Sequence, residues 1–234
     1  QSGNTLIRII MVNVAFFAVM LLVGVFVRGA ASPETYDAFR HFWMISTDWL
    51  HNLTHPWVFI THMFFHESFW HIFWNMLLLY WFGNLVGDML GDRIVLPTYL
   101  LSGLVGGVIY FIMGNLPTPW PIGAYALGAS AAVNGFMMLA AAKFPDYEMN
   151  LILIGPVKIK WIVGVFIAID VIALAGNDNS GGHLAHLGGA AMGWYIVYLW
   201  NYKNIDLIGW TNKRIDKVVN FFSNLSSPKQ QTPS

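Results

Sequence analysis

The sequence predicts an all-α membrane protein built as a bundle of six transmembrane helices. Three observations predict it. The chain of 234 residues is 56% hydrophobic and only 10% charged, with a mean hydropathy of +0.56, where a soluble domain carries about 25% charged residues. Six apolar runs, at 6–27, 69–86, 94–113, 128–142, 159–175 and 183–200, approach or reach the roughly 20 residues a helix needs to cross a hydrocarbon core. Of the twelve basic residues, only Arg28 and Arg40 fall on one side of the resulting alternation, and the other ten share the side of the termini. By the positive-inside rule that side is cytoplasmic, and the expected location is a bacterial inner (plasma) membrane.

The first run, 6–27, is long enough to remain as a span, so no removable signal peptide is needed. The loop at 29–61 carries Trp43, Trp49 and Trp57 among Phe39, Phe42 and Phe59, the aromatic content of a segment lying in the headgroup layer. It is expected to be re-entrant or interfacial. The fourth run is short, which suggests a helix shielded from lipid with its outer end in a water-filled dip. After the sixth, Ile215, Val218, Val219 and Phe222 recur at i, i+3, i+4, i+7 beside Lys213, Arg214 and Lys217, the pattern of an interfacial helix favouring anionic lipid. The chain divides accordingly into a membrane domain at 1–202 and, at 203–234, a cytoplasmic amphipathic helix with a disordered tail from Ser226.

Composition excludes several function classes. No cysteine means no disulfide and no thiol chemistry, and zero net charge argues against a nucleic-acid partner. An inverted-repeat transporter is disfavoured because no internal repeat is visible and no intramembrane carboxylate is recognised.

Polar residues cluster at one end of three runs. His66, His71 and Asn75 enter the second, Ser130 enters the fourth within Gly128-Ala129-Ser130-Ala131, and His186 enters the sixth. Polar side chains in a membrane helix are costly and functional by default. Ser130 at a helix start would face unpaired N–H groups and the positive end of the dipole, which stabilise an oxyanion; the alternative is a simple cap or packing residue. A serine hydroxyl is a weak nucleophile until a nearby base takes its proton. Gly189 and Gly193 give the His186 helix a small-residue face that permits close approach, so His186 is the candidate base; alone it could equally bond a loop carbonyl. His71 and Asn75, at i, i+4, share a face and could both donate to an oxyanion, although an amide in a span is also common interhelical glue. His62 and His66 could continue the polar line outward. No carboxylate is seen to orient His186 apart from Asp178 in the preceding loop, so a Ser-His dyad is expected. The run His66-Glu67-Ser68-Phe69-Trp70-His71 has one residue too many for a zinc-protease motif. His62 with His66 and His183 with His186 keep a permissible spacing but lack a third ligand; no metal and no cofactor are expected.

With these residues on the page, the stretch from Trp57 to about Trp200 resembles the rhomboid family of intramembrane serine proteases. His66-x4-His71-x3-Asn75 matches the family's H-x4-H-x3-N pattern, His62 also fits, Gly128-Ala129-Ser130 matches the start of G-x-S-G, and Ala185-His186-Leu187-Gly188-Gly189 matches the segment carrying the base. The resemblance implies Ser130 as nucleophile, His186 as general base, His71 and Asn75 as oxyanion donors, and transmembrane or membrane-anchored proteins as substrates within the lipid bilayer. The chain departs from the pattern at Ala131, whose methyl is expected to narrow the approach to Ser130. Asn134 replaces an aromatic that packs on the histidine and could bond the imidazole instead. Val58 stands where an arginine is common, and Gly87-Asp88 where a glutamate is. Two other readings stay open: an inactive rhomboid-like protein that binds transmembrane segments, and a histidine-lined metal or proton transporter.

Overall fold

The computed structural model describes residues 4–30, 32–151, 154–176 and 179–226. Helix α1 (Asn4–Ala30) leads into three short helices, α2 (Pro33–His41), α3 (Trp49–Thr54) and α4 (Val58–Thr61). The long rods α5 (Phe69–Leu90), α6 (Val95–Gly114), α7 (Ser130–Lys143), α8 (Ile159–Ala175) and α9 (Ser180–Tyr198) follow, and α10 (Leu207–Ser226) ends the described chain. Two stretches, Asn4–Val27 and Asp92–Gly114, are long and apolar enough to cross a membrane by themselves. The others are shorter, with 14 residues in α7 and 17 in α8, or carry the polar and aromatic residues that lower their hydropathy. The helices nevertheless stand in the order and at the positions of the six apolar runs.

Local chemistry sets their ends. Ser68 caps α5, its hydroxyl accepting from His71 N–H at 3.2 Å, and Gly91 stops it at φ +93°, a left-handed conformation glycine adopts without Cβ strain. The Asp92 carboxylate accepts from Thr5 N–H at 3.2 Å and from the Thr5 hydroxyl, tying the first turn of α1 to the α5–α6 turn.

α7 is the central rod, packed by α5, α6 and α9, with residues 131–137 and 139–141 buried. It is short because neighbours surround it, as expected of a helix shielded from lipid. Its seam with α9 is made by small residues: a Cβ at Gly189 would collide with the Ala131 carbonyl, and one at Gly193 with the Gly135 carbonyl. Helices in lipid associate through such close packing because apolar burial alone does not distinguish protein from hydrocarbon. Around the seam, Phe82, Tyr99, Phe136, Met63 and Leu79 fill the core. Tyr99 Oη donates to the Met63 carbonyl at 2.7 Å and accepts from Asn13 Nδ2 at 3.0 Å, so both polar groups are satisfied where burying them unpaired would be costly.

The first loop is structured, as its aromatics suggest. Strand β1 (Ile45–Ser46) pairs antiparallel with β2 (Tyr125–Ala126), and Trp57 Nε1 donates to the Phe42 carbonyl at 2.8 Å. At the opposite end, β3 (Glu148–Leu151) pairs with β4 (Gly155–Lys158). Asp146 there meets Lys160 at 2.8 Å and Lys158 at 3.1 Å; hydrogen bonds from Lys160 and then Lys158 hold its carboxyl below the usual range. Arg93 pairs with Asp216 of α10 at 2.6 Å, and Asn212 Nδ2 donates to the Arg93 carbonyl at 2.9 Å. α10 thus lies against the basic end of the bundle with Ile208 buried and Val218, Val219 and Phe222 exposed, the apolar stripe the sequence pattern anticipates. The tail beyond Ser226 lies outside the described residues.

Candidate active site

The approach to α7 is shaped by backbone. β2, held by its pairing with β1, delivers Gly128, whose N–H donates to the His62 carbonyl at 2.9 Å. Gly128 has φ +128°, and a Cβ there would also lie 2.8 Å from His71 Nε2. Both the conformation and the space require glycine. The next N–H, of Ala129, points at His66 Nε2 at 3.4 Å. The first α7 bond runs from Val133 N–H to the Ala129 carbonyl, so the N–H groups of 130–132 belong to the unpaired first turn.

Ser130 opens that turn, and its hydroxyl meets His186 Nε2 at 2.7 Å. On the other side of the ring, His186 Nδ1 meets Asp170 Oδ1 at 2.9 Å, and His183 Nδ1 meets the same oxygen at 2.7 Å. With Nδ1–H donating to the carboxylate, Nε2 is left with its lone pair towards the serine hydroxyl, the tautomer a base needs. Asp170 is nearly buried, with a side-chain exposure of 8%, against 19% and 21% for the histidines.

The carboxylate corrects two expectations. Asp170 is a carboxylate within the fifth apolar run, where none was recognised, and its contact with His186 Nδ1 supplies the orienting partner that a Ser-His dyad lacks. Asp178, the candidate named from sequence, lies outside the described residues. The signal was present in the sequence: Asp170 is the one acidic residue of the fifth apolar run, eleven residues past Ile159, and an ionisable residue at that depth is a functional candidate by default. What sequence does not reveal is that α8 turns it towards α9.

The remaining residues sort as follows. His71 reaches the site: its Nε2 lies against Gly128 beside Ser130, and its Nδ1 faces Glu67 N–H at 3.5 Å, which leaves the proton on Nε2 as a donor. Asn75 also lines the cavity, but one amide N–H donates to the His71 carbonyl at 2.8 Å, leaving the other for a ligand. His66 stands edge-on to His71 with ring centroids 5.0 Å apart. His62 does not continue the polar line; it is buried, with Nδ1 on the Val58 carbonyl at 2.8 Å. Asn134 does not bond the imidazole either, since Nδ2 donates to the Ser130 carbonyl at 3.0 Å. The Ala131 methyl does not narrow the approach to Ser130: it faces α6, where the place of a Gly106 Cβ is taken by it.

These groups line a cavity of about 590 Å³ between α5, α7, α8 and α9, whose polar side holds His71, Asn75, Ser130, Asp170, His183 and His186. Trp74, Val133, Met137 and Phe166 supply apolar wall. The arrangement sets a serine hydroxyl against an imidazole, with unpaired N–H groups beside it, in a cavity with one polar and one apolar wall.

A model of the Rhomboid domain matches residues 53–203. RHOMBOID-like protein 12, mitochondrial, of Arabidopsis thaliana is 36% identical over 146 residues, covering 57% of this chain and 43% of the relative. Rhomboid protein 1, mitochondrial, of Saccharomyces cerevisiae is 26% identical over 198 residues, covering 82% and 53%. Presenilin-associated rhomboid-like protein, mitochondrial, of Homo sapiens is 28% identical over 142 residues, covering 58% and 36%. The chain matches about half or less of the length of these curated relatives. Their names also correct the expected location: they are mitochondrial proteins, not bacterial plasma-membrane ones. The charge asymmetry distinguishes the two faces of a membrane and carries no information about which membrane it is. The matched region contains the whole Ser130–His186 constellation and the five rods α5 to α9 that position it, and the chain belongs to the rhomboid family.

Proposed function

We propose that this protein is an intramembrane serine endopeptidase that cuts transmembrane or membrane-anchored proteins from within a six-span bundle, in a mitochondrial membrane as its relatives' names suggest. The observation that carries the reading is the continuous relay from Ser130 Oγ through His186 to Asp170, at 2.7 and 2.9 Å. Ser130 Oγ attacks the scissile carbonyl as His186 Nε2 takes its proton. The Asp170 carboxylate holds the ring in place and stabilises the imidazolium that forms. The developing oxyanion is met by the unpaired N–H groups of the α7 first turn and by His71 Nε2–H, with the free amide N–H of Asn75 available beside them. His186 then protonates the leaving amine, and water entering the cavity resolves the acyl-enzyme.

The substrate must expose a carbonyl that its own helix has already paired, so segments with glycine or small residues near the cut are favoured. The rival reading, an inactive protein that binds membrane segments, leans on Ala131 obstructing the serine; the position of that methyl against Gly106 of α6 favours the protease reading. The test is labelling by a fluorophosphonate probe. Ser130 is expected to be the modified residue, with labelling lost in both Ser130→Ala and His186→Ala, and labelling of a folded Ser130→Ala protein would overturn the assignment.

A further inference from the structure

His183 has no role in the relay, yet its Nδ1 converges with His186 Nδ1 on one carboxylate oxygen. The three potential ligand atoms, two imidazole nitrogens and a carboxylate oxygen, lie within 4.8 Å of one another. Two histidines and a carboxylate are a donor set that suits zinc, a borderline ion bound by imidazole and carboxylate at about 2.0–2.2 Å. Both rings project from one helix at i, i+3 while the carboxylate comes from α8, so the carboxylate can draw back from the two Nδ1 atoms it now meets and leave an ion between them. His183, His186 and Asp170 all line the cavity, which gives an ion an entry path and a water for its fourth position. The sequence spacing of His183 and His186 already permitted a metal and lacked only a third ligand; Asp170 supplies it.

We propose that Asp170, His183 and His186 form a reversible zinc site that switches the serine off. The consequence for catalysis rests on the protease reading above, while the binding does not. At present Nδ1–H of His186 donates to Asp170 and Nε2 accepts from Ser130. A zinc ion bonded to Nδ1 takes that lone pair in place of the proton, and the neutral ring then carries its proton on Nε2. That nitrogen now points an N–H at Ser130 Oγ and has no lone pair with which to take the serine proton. The Nδ1 proton is relocated to Nε2 through solvent and no redox step is involved. Zinc also removes the carboxylate from its place behind the imidazole, so both supports of the base are lost together.

The test uses the purified full chain in detergent, stripped with EDTA and then equilibrated with zinc, or with cobalt as a spectroscopic stand-in. One zinc per chain is expected, with cobalt giving the d–d absorption of a low-coordinate nitrogen and oxygen site, and the fluorophosphonate labelling rate falling in step with occupancy and returning on EDTA treatment. His183→Asn keeps an amide donor at the Nδ1 position facing Asp170 but removes the ligand. It is expected to weaken zinc binding at least about tenfold and to shift the inhibition curve by the same factor relative to its own zinc-free rate. Thermal denaturation checks that it is folded, and His183→Gln serves if it is not. The stacked His51 and His55 rings in the first loop, 4.6 Å apart, are an alternative place for adventitious zinc. Zinc bound equally by wild type and the His183 variants, or no stoichiometric binding, would overturn the site. Stoichiometric, His183-dependent binding by a protein that neither labels nor cleaves when zinc-free would support the site and overturn the protease reading.

Discussion

The two ends of the bundle handle charge and polarity in opposite ways. At the end where α7 begins, polar groups are drawn inward: Asp170, Asn75, His66 and Asn134 are all buried, and the Asp170 contact fixes the tautomer that His186 turns to Ser130. At the basic end the charges stay outside. Arg93 and Asp216 are 74% and 54% exposed, and Lys158, Lys160 and Asp146 are likewise open. Exposed pairs contribute about 0–1 kcal/mol because water competes for both partners. A buried network loses far more when one member is removed, since the others are left unsatisfied. The first end therefore specifies geometry, while the second anchors α10 through contacts that stay open to water.

The sharpest way to break this contrast is at the centre of the relay. Ser130→Ala and His186→Ala are each expected to lower kcat for a transmembrane substrate by about 10⁶-fold, with the double variant little worse than either, because residues acting as a unit are not additive. Additive losses would show that the two do not act together.

Asp170→Asn comes next. The amide is nearly isosteric, but it can present an N–H to Nδ1 and so favour the wrong tautomer of His186. A loss of about 10²–10⁴-fold in kcat is expected, with KM little changed. A lowered melting temperature with intact kcat would instead make Asp170 a packing residue.

That contrast between the ends also explains what could be read from the sequence. The rods were legible because apolar runs of membrane length and the side bias of basic residues are local signals. That Ser130, His186, His71 and Asn75 share one cavity is legible because each sits in a short contiguous motif at the same end of its run. Asp170 was not, since its role depends on the rotation of α8 about its axis, which no run of 17 mostly apolar residues discloses. The direction of the Ala131 methyl is hidden for a related reason: it depends on Gly106, a neighbour from a different helix. His62 and Asn134 likewise went to backbone carbonyls, which a sequence presents as uniform.

Within the polar end, His71 and Asn75 divide unequally. Having Nε2–H free beside Ser130, His71→Ala should raise the barrier by about 2.7–4 kcal/mol, the scale of a principal oxyanion donor. Asn75→Ala should cost about 1 kcal/mol, because one of its N–H groups is already held by the His71 carbonyl. Both losses should appear in kcat more than in KM, since the bonds strengthen in the transition state. Steady-state kinetics in detergent distinguish them, and Asn75→Ala outranking His71→Ala would reverse the assignment of roles.

The smallest effect is expected at the other end, and it tests the comparison from the opposite side. Arg93→Ala and Asp216→Ala each remove one partner of an exposed ion pair, and a double-mutant cycle on melting should return a coupling of about 0.2–1 kcal/mol, falling with added salt. kcat should not change. α10 should stay docked, because Ile208 is buried against the bundle and Asn212 bonds the Arg93 carbonyl, a backbone atom that the alanine keeps. Protease protection of α10 in vesicles provides the check. Release of α10 by Arg93→Ala, or a fall in kcat accompanying it, would mean that the charged end is coupled through α6 to the small-residue seam of α7 and α9, and that the division between an anchoring end and a chemical end is drawn in the wrong place.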